Sequence, residues 1–189
     1  ETARAFANEV GYPLYAKPEK GVGAVGGYKV ADEAALGGLF GIDLGAPYVL
    51  EEFVTGDIVS YEAIVDAEGN TLFENHSEYP VNIADSVEQM LDVWYYVRPD
   101  VDPKLSELGR AAIKGFGITN RFVHMEFFRL TADKPGLGNK GDYVGLEVNV
   151  RAPGGYTPDC INFAHSFDVY QIWADMVTFG TSDRGKGGE

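Results

Sequence analysis

Apolar positions recur along this chain with a spacing that switches between helical and strand-like, and the switches fall at a few punctuating residues. Ala5, Phe6 and Val10 share one helical face, so a short amphipathic helix is predicted over Thr2 to Val10. Strand-like runs follow at Leu14 to Lys17 and Tyr28 to Val30, and Asp32 stands where an N-cap would open a second helix. Gly37 and Gly38 weaken that helix, which should be short. A further strand starts at Tyr48. Ile58 to Asp66 and Thr71 to Tyr79 alternate around the turn Ala67-Glu68-Gly69-Asn70, which predicts a β-hairpin. Asp102 and Pro103 make a good helix start, with Leu105, Leu108, Ala112 and Phe116 as its apolar stripe. The stretch Val81 to Val101 is ambiguous, and its Trp94-Tyr95-Tyr96 aromatics are expected in the core. Val123 to Phe128 and Leu146 to Val150 read as strands joined by the Pro/Gly/Asn/Lys loop Ala132 to Asp142, an antiparallel pair. Ser166 is expected to cap a helix over Phe167 to Phe179, and the small, polar Gly180 to Glu189 to fray.

The predicted strand pair carries the candidate chemistry. Glu147, Asn149 and Arg151 sit at alternate positions, which a strand would place on one face. Glu126, Glu147 and the Asn149 amide would form an all-oxygen set suited to a hard cation such as Mg²⁺, with nucleotide phosphates as co-ligands. Arg151 adds a planar fork for a phosphate or carboxylate. The alternative is an ordinary solvent face, which Leu146, Val148 and Val150 fit equally well. Upstream, an apolar strand ends in Lys17 and runs into a glycine-rich stretch from Gly21 to Gly27. Backbone N–H groups there can cradle phosphate oxygens beside the lysine charge, although a plain hairpin turn has the same composition. No Gly-Lys-Ser/Thr follows, so this is not a Walker A loop, and a strand rather than a helix comes next, so it is not a dinucleotide fingerprint. The third segment, Tyr48 to Asp66, leads a strand into Glu51-Glu52, then Thr55-Gly56-Asp57 and a second strand. Adjacent carboxylates point to opposite sides, so one can face a pocket and the other solvent; a solvated strand end is the alternative.

The order Pro-x-x-x-Lys-Pro, glycine-rich flap, Leu-Glu-Glu-Phe-Val-x-Gly, His-x-Glu and Glu-x-Asn-x-Arg-x-x-Gly-Gly resembles the ATP-grasp superfamily over nearly the whole chain. It is most similar to the carbamoyl-phosphate-synthase-like branch and the carboxylate-amine ligases. The resemblance implies an α+β fold of two lobes with mainly antiparallel sheets and flanking helices. Residues 1–50 would form the small lobe with its flap, 51–180 the large lobe with adenine hinge and metal site, and 181–189 a flexible tail. It also implies ATP with Mg²⁺, for which Mn²⁺ can substitute. Lys17 and the flap residues Gly21, Gly23 and Ala24 match the phosphate contacts, Glu51 the acceptor for the adenine amino group, and Phe53 and Val54 the hinge around the base edge. Glu52 should point away from the base. Asp57, directly after Gly56, matches the ribose carboxylate, one position earlier than in many relatives. Glu126, Glu147 and Asn149 match the metal ligands, and Arg151 the arginine on the reacting group. The implied function is ligation of a small carboxylate to an amine through an acyl phosphate; the alternative is a nucleotide-binding module without turnover. A preceding nucleotide lysine and α/β domain of the superfamily are not matched and no initiator Met precedes Glu1, so the chain is expected to be a fragment, weak or inactive alone.

Composition agrees. At 189 residues and 45% hydrophobic content the chain can bury a substantial core. It carries no apolar run of bilayer length and no signal-peptide pattern, so the expected home is the cytoplasm, and no membrane partner is expected. The single Cys160, read as a small buried residue on a helix, suits a reducing compartment. A net charge of −14 argues against nucleic acid, which demands basic patches. ATP is also a polyanion, yet Mg²⁺, Lys17, Lys20, Arg151 and the flap amides would make a local positive pocket. His76, His124 and His165 lack zinc spacing; His124 should share the face of Glu126 as a hydrogen-bonded wall residue.

Overall fold

Leu14 and Ala16 are buried while Tyr15 and Lys17 between and beyond them are not, the period-two signature of a strand packed on one side. In the computed structural model, which describes residues 2–20, 26–80 and 94–184, this strand is β1 (Leu14–Pro18). It is the centre of a three-stranded antiparallel sheet, ordered β2-β1-β3, with β2 (Tyr28–Val30) and β3 (Tyr48–Glu52). Helices α1 (Thr2–Val10) and α2 (Glu33–Leu39) close one face, packing Ala7 and Leu36 against Leu14, Ala16 and Val30. Asp32 caps α2 as anticipated, accepting from the Ala35 amide at 2.8 Å.

These elements form one compact unit, Glu1–Val54, and the rest of the chain forms another, Thr55–Glu189. The expected division after residue 50 falls inside β3. Pairing with β1 keeps that strand, with Glu51 and Glu52, in the first unit.

The second unit is built on a five-stranded antiparallel sheet, ordered β6-β5-β4-β7-β8. Its strands are β4 (Gly56–Val65), β5 (Thr71–Tyr79), β6 (Tyr96–Val97), β7 (Arg121–Leu130) and β8 (Tyr143–Asn149). The β4/β5 hairpin forms around the anticipated turn, where the Asp66 carboxylate accepts from the Glu68 and Asn70 amides and Gly69 takes a positive φ. At its start β4 lies so close to β7 that a Cβ on Gly56 would stand 2.7 Å from the Arg129 carbonyl oxygen, so only glycine fits there.

One sheet face carries Val59, Tyr61, Ala63, Val123 and Met125 and packs on α3 (Pro103–Gly115), which Asp102 caps. The buried stripe of α3 is Leu105, Gly109 and Ile113, which shares only Leu105 with the one anticipated. Leu108 and Phe116 are exposed, and Ala112 packs only at the margin of the core. Gly109 explains the shift: a Cβ there would meet the Tyr61 ring at 2.5 Å, so the missing side chain is the slot that admits a buried tyrosine. The other face has an apolar end of Ile64, Phe73 and Phe122, covered by α4 (Thr157–His165) and α5 (Val169–Phe179) through Ile161, Val169, Ile172 and Met176.

Two further expectations are corrected. Ser166 is not an N-cap; it ends α4 in the left-handed conformation, and Asp168 caps α5 by accepting from the Tyr170 amide at 2.9 Å. Trp94 and Tyr96 are exposed and stack on each other at the edge of the sheet, where β6 is the outermost strand. Within the expected tail, Gly180 terminates α5, and Ser182 and Arg184 both donate to Asp175. The remainder of the ambiguous stretch, 81–93, and the tail 185–189 lie outside the described residues.

On the α3 side of the sheet near its β6 edge, Glu78 is nearly buried and accepts from Arg98, Arg129 and Tyr96. Burial opposes its charge, but these donors outweigh it and hold the carboxyl at about 2. The folded value lies below the ordinary 4.5, so the stability it contributes is present above that ordinary value and is lost as pH falls from about 4.5 through about 2. Glu78→Gln should therefore lower stability at neutral pH and flatten the acid limb of a urea-unfolding series across that window. A wild-type slope in the variant would assign the acid limb to other groups.

Candidate functional site

In the first unit the register of β1 with β3 sets Tyr15 opposite Glu51 and Lys17 opposite Val49. These four share the sheet face opposite the one that packs on α1 and α2. Lys17 Nζ and Glu51 Oε1 are 2.9 Å apart, so the two groups anticipated at opposite ends of a nucleotide are paired with each other here. Glu52 lies opposite Leu14, on the other face from Glu51. The Phe53 amide donates to the Pro13 carbonyl, and its ring lies under the Lys29 ammonium, 4.5 Å from the ring centroid. Val54 is half-buried at the end of the unit. Gly21, Gly23 and Ala24 of the flap lie outside the described residues.

In the second unit β7 and β8 pair as anticipated, with Glu126 opposite Glu147 and His124 opposite Asn149. Directly opposed residues have Cβ atoms roughly 4.5–5.5 Å apart, so the two carboxylates and the amide are carried on one patch of sheet. Glu126 is largely covered, Asn149 half-buried and Glu147 exposed. Among the described residues no three His, Cys, Asp or Glu side chains gather as a metal set. The candidate set is two carboxylates and an amide, all oxygen donors, which fits a hard cation completed by phosphate oxygens rather than a protein-only cage.

Arg151 departs from the anticipated geometry. Strand β8 ends at Asn149, so alternation does not carry Arg151 onto the same face; it is exposed beyond the strand end and donates to the adjacent Ala152 carbonyl at 3.0 Å. Asp57, anticipated at a ribose, sits at the start of β4 and accepts from Arg129 Nη2 at 3.2 Å.

His124 shares the face of Glu126 and is hydrogen-bonded to it, as expected, and it leads to residues that the motifs did not flag. Its Nε2 is 3.2 Å from Glu126 Oε1 and its Nδ1 is 2.8 Å from Glu62 Oε1. Burial disfavours a charged ring, but the hydrogen bonds to Glu126 and Glu62 prevail and raise the imidazole to about 9. A ring protonated on both nitrogens donates to both glutamates in this geometry. Glu62 is fully buried on β4, and its second oxygen accepts from Asn75 Nδ2 at 2.6 Å and Ser77 Oγ at 3.3 Å. Asn75 Oδ1 in turn lies 2.9 Å from His165 Nε2. The available signal was Ser60 and Glu62 against Asn75 and Ser77: polar residues at alternate positions on both arms of a hairpin, on the face whose other members, Ile64 and Phe73, are apolar.

No family model and no curated protein matches the chain. Solved structures do. The biotin carboxylase domain of a 2-oxoglutarate carboxylase from Hydrogenobacter thermophilus, solved with MgADP, ADP and bicarbonate, superimposes with a TM-score of 0.65 at 16% identity, over 96% of this chain and 40% of that one. An L-amino acid ligase from Bacillus licheniformis gives 0.62 at 18% identity over 87% of this chain and 38% of that one. The D-alanine–D-alanine ligase of Bacillus anthracis gives 0.62 at 17% identity over 94% and 57%. All three are ATP-grasp proteins, and the fold of this chain is the ATP-grasp fold. The chain spans about 40% of the length of the biotin carboxylase chains it matches. Among the described residues no helix is long and apolar enough to cross a membrane.

Proposed function

We propose that this chain is the ATP- and Mg²⁺-binding part of a ligase that activates a small carboxylate as an acyl phosphate and passes it to an amine or similar nucleophile. The observation that carries this reading is the β7/β8 register, which sets Glu126 against Glu147 and Asn149 against His124 on an ATP-grasp sheet. The neighbouring carboxylase domain is described with MgADP, and other neighbours are described as amino-acid ligases, which supports the same chemistry. Glu126, Glu147 and Asn149 would hold Mg²⁺, which supplies neutralisation of phosphate charge when bound. On the first unit Lys17 would take the nucleotide phosphates and Glu51 would accept from the adenine amino group, with Phe53 and Val54 at the base edge and the flap residues Gly21, Gly23 and Ala24 over the phosphates. Arg151 would stabilise the charge that develops as the substrate carboxylate takes the γ-phosphoryl group. These groups position and neutralise; the nucleophile's proton is left to the incoming amine or to another part of a longer protein. A cytoplasmic setting suits the single free Cys160.

Two measurements test the reading. ADP release by the full-length protein, assayed with panels of carboxylates and amines, should appear only with a matched pair; ADP release with none of them would leave a nucleotide-binding module. Lys17→Ala should weaken ATP binding at least about tenfold, as loss of a charge-assisted phosphate contact implies, while adenosine affinity stays within about twofold. Equal losses for the two ligands would place Lys17 outside the phosphate site.

A further inference from the structure

We infer that Glu62 is a positioning residue for the candidate ligand Glu126, acting through the His124 ring that bridges the two carboxylates; the inference rests on the metal-site reading above. Glu62 is fully buried, and both of its oxygens are engaged: Oε1 by His124 Nδ1, and Oε2 by Asn75 and Ser77. Asn75 is itself fixed from the far side by His165. A sheet face gains little stability from such a chain, because replacing buried ionic groups with well-packed apolar ones is often neutral or stabilising. What the chain does supply is orientation. With Glu62 on one nitrogen and Glu126 on the other, the imidazole cannot turn without breaking both bonds, so the Glu126 carboxylate is pinned at Oε1 before any cation arrives. Neither Glu62 nor Asn75 belongs to the candidate ligand set.

The test is a double-mutant cycle on cation affinity, read by electron paramagnetic resonance of Mn²⁺ in the presence of saturating ADP. Glu62→Gln keeps the shape, removes the charge and should weaken Mn²⁺ by about tenfold, the usual scale for an outer partner of a metal ligand. ADP affinity without metal should stay within about twofold. The discriminating readout is the pairing with Glu126→Gln. If Glu62 works through Glu126, the double variant should bind Mn²⁺ no more weakly than Glu126→Gln alone. An additive loss, or an unchanged Mn²⁺ affinity in Glu62→Gln, would overturn the inference while leaving the metal-site reading in place. Should Glu62→Gln fold too poorly to assay, Asn75→Ala carries the same cycle, with a smaller expected loss of about threefold; no loss there overturns the inference equally. A wild-type protein whose nucleotide binding ignores Mn²⁺ altogether would remove the metal site, and this role of Glu62 with it.

Discussion

Glu147→Ala should abolish the tightening of nucleotide binding by Mg²⁺ while the protein stays folded. Glu147 is an exposed side chain on β8, opposite Glu126, so its loss leaves no cavity and no orphaned buried partner. Surface changes of this kind usually shift stability by less than about 0.5 kcal/mol. As a proposed direct ligand it should matter more than an outer partner, whose loss costs roughly ten- to hundredfold, so the Mg²⁺ dependence should fall by about a hundredfold or more. Calorimetric titration of ADP with and without Mg²⁺, beside a thermal melt, separates the two effects. An unchanged response to Mg²⁺ would leave the two glutamates as ordinary surface charges.

Arg151→Lys should be nearly as damaging, but to turnover and not to binding. The guanidinium is exposed beyond the end of β8 and donates to its neighbour's carbonyl; in the proposed site it would meet a reacting oxyanion. Lysine keeps the charge and loses the planar fork. In the full-length protein kcat should fall on the order of a hundredfold, the scale for removing one preorganised donor, with ATP affinity within a few-fold. Near-normal turnover would place Arg151 outside the chemistry.

Much of the fold was legible because its signals are local. Helix α1, strands β1 and β2, the Asp32 and Asp102 caps and the β4/β5 hairpin each announce themselves within a few residues. The errors arose where a distant partner decides. The stripe on α3 moved because Tyr61, remote in sequence, needs the gap at Gly109. Ser166 looks like an N-cap because the helix expected around Cys160 carries no signal for where it ends, so a C-terminal residue reads as an N-terminal one. The candidate site divides in the same way. The His-x-Glu and Glu-x-Asn spacings locate β7 and β8, but that Glu62 and Asn75 reach His124 depends on strand register across the sheet, which no short motif encodes.

Lys17 and Glu51 neutralise each other across one sheet face. For a nucleotide that sets its phosphates on the lysine and its base amino group on the glutamate, docking is therefore a metathesis, in which one ion pair opens and two new contacts form. Their side chains are 32% and 40% exposed, and a pair so open to water costs less than about 1 kcal/mol to separate. Inorganic phosphate or adenosine satisfies one member and leaves its former partner to solvent. In the proposed site a whole nucleotide would satisfy both, so opening the pair would favour the complete ligand over its fragments.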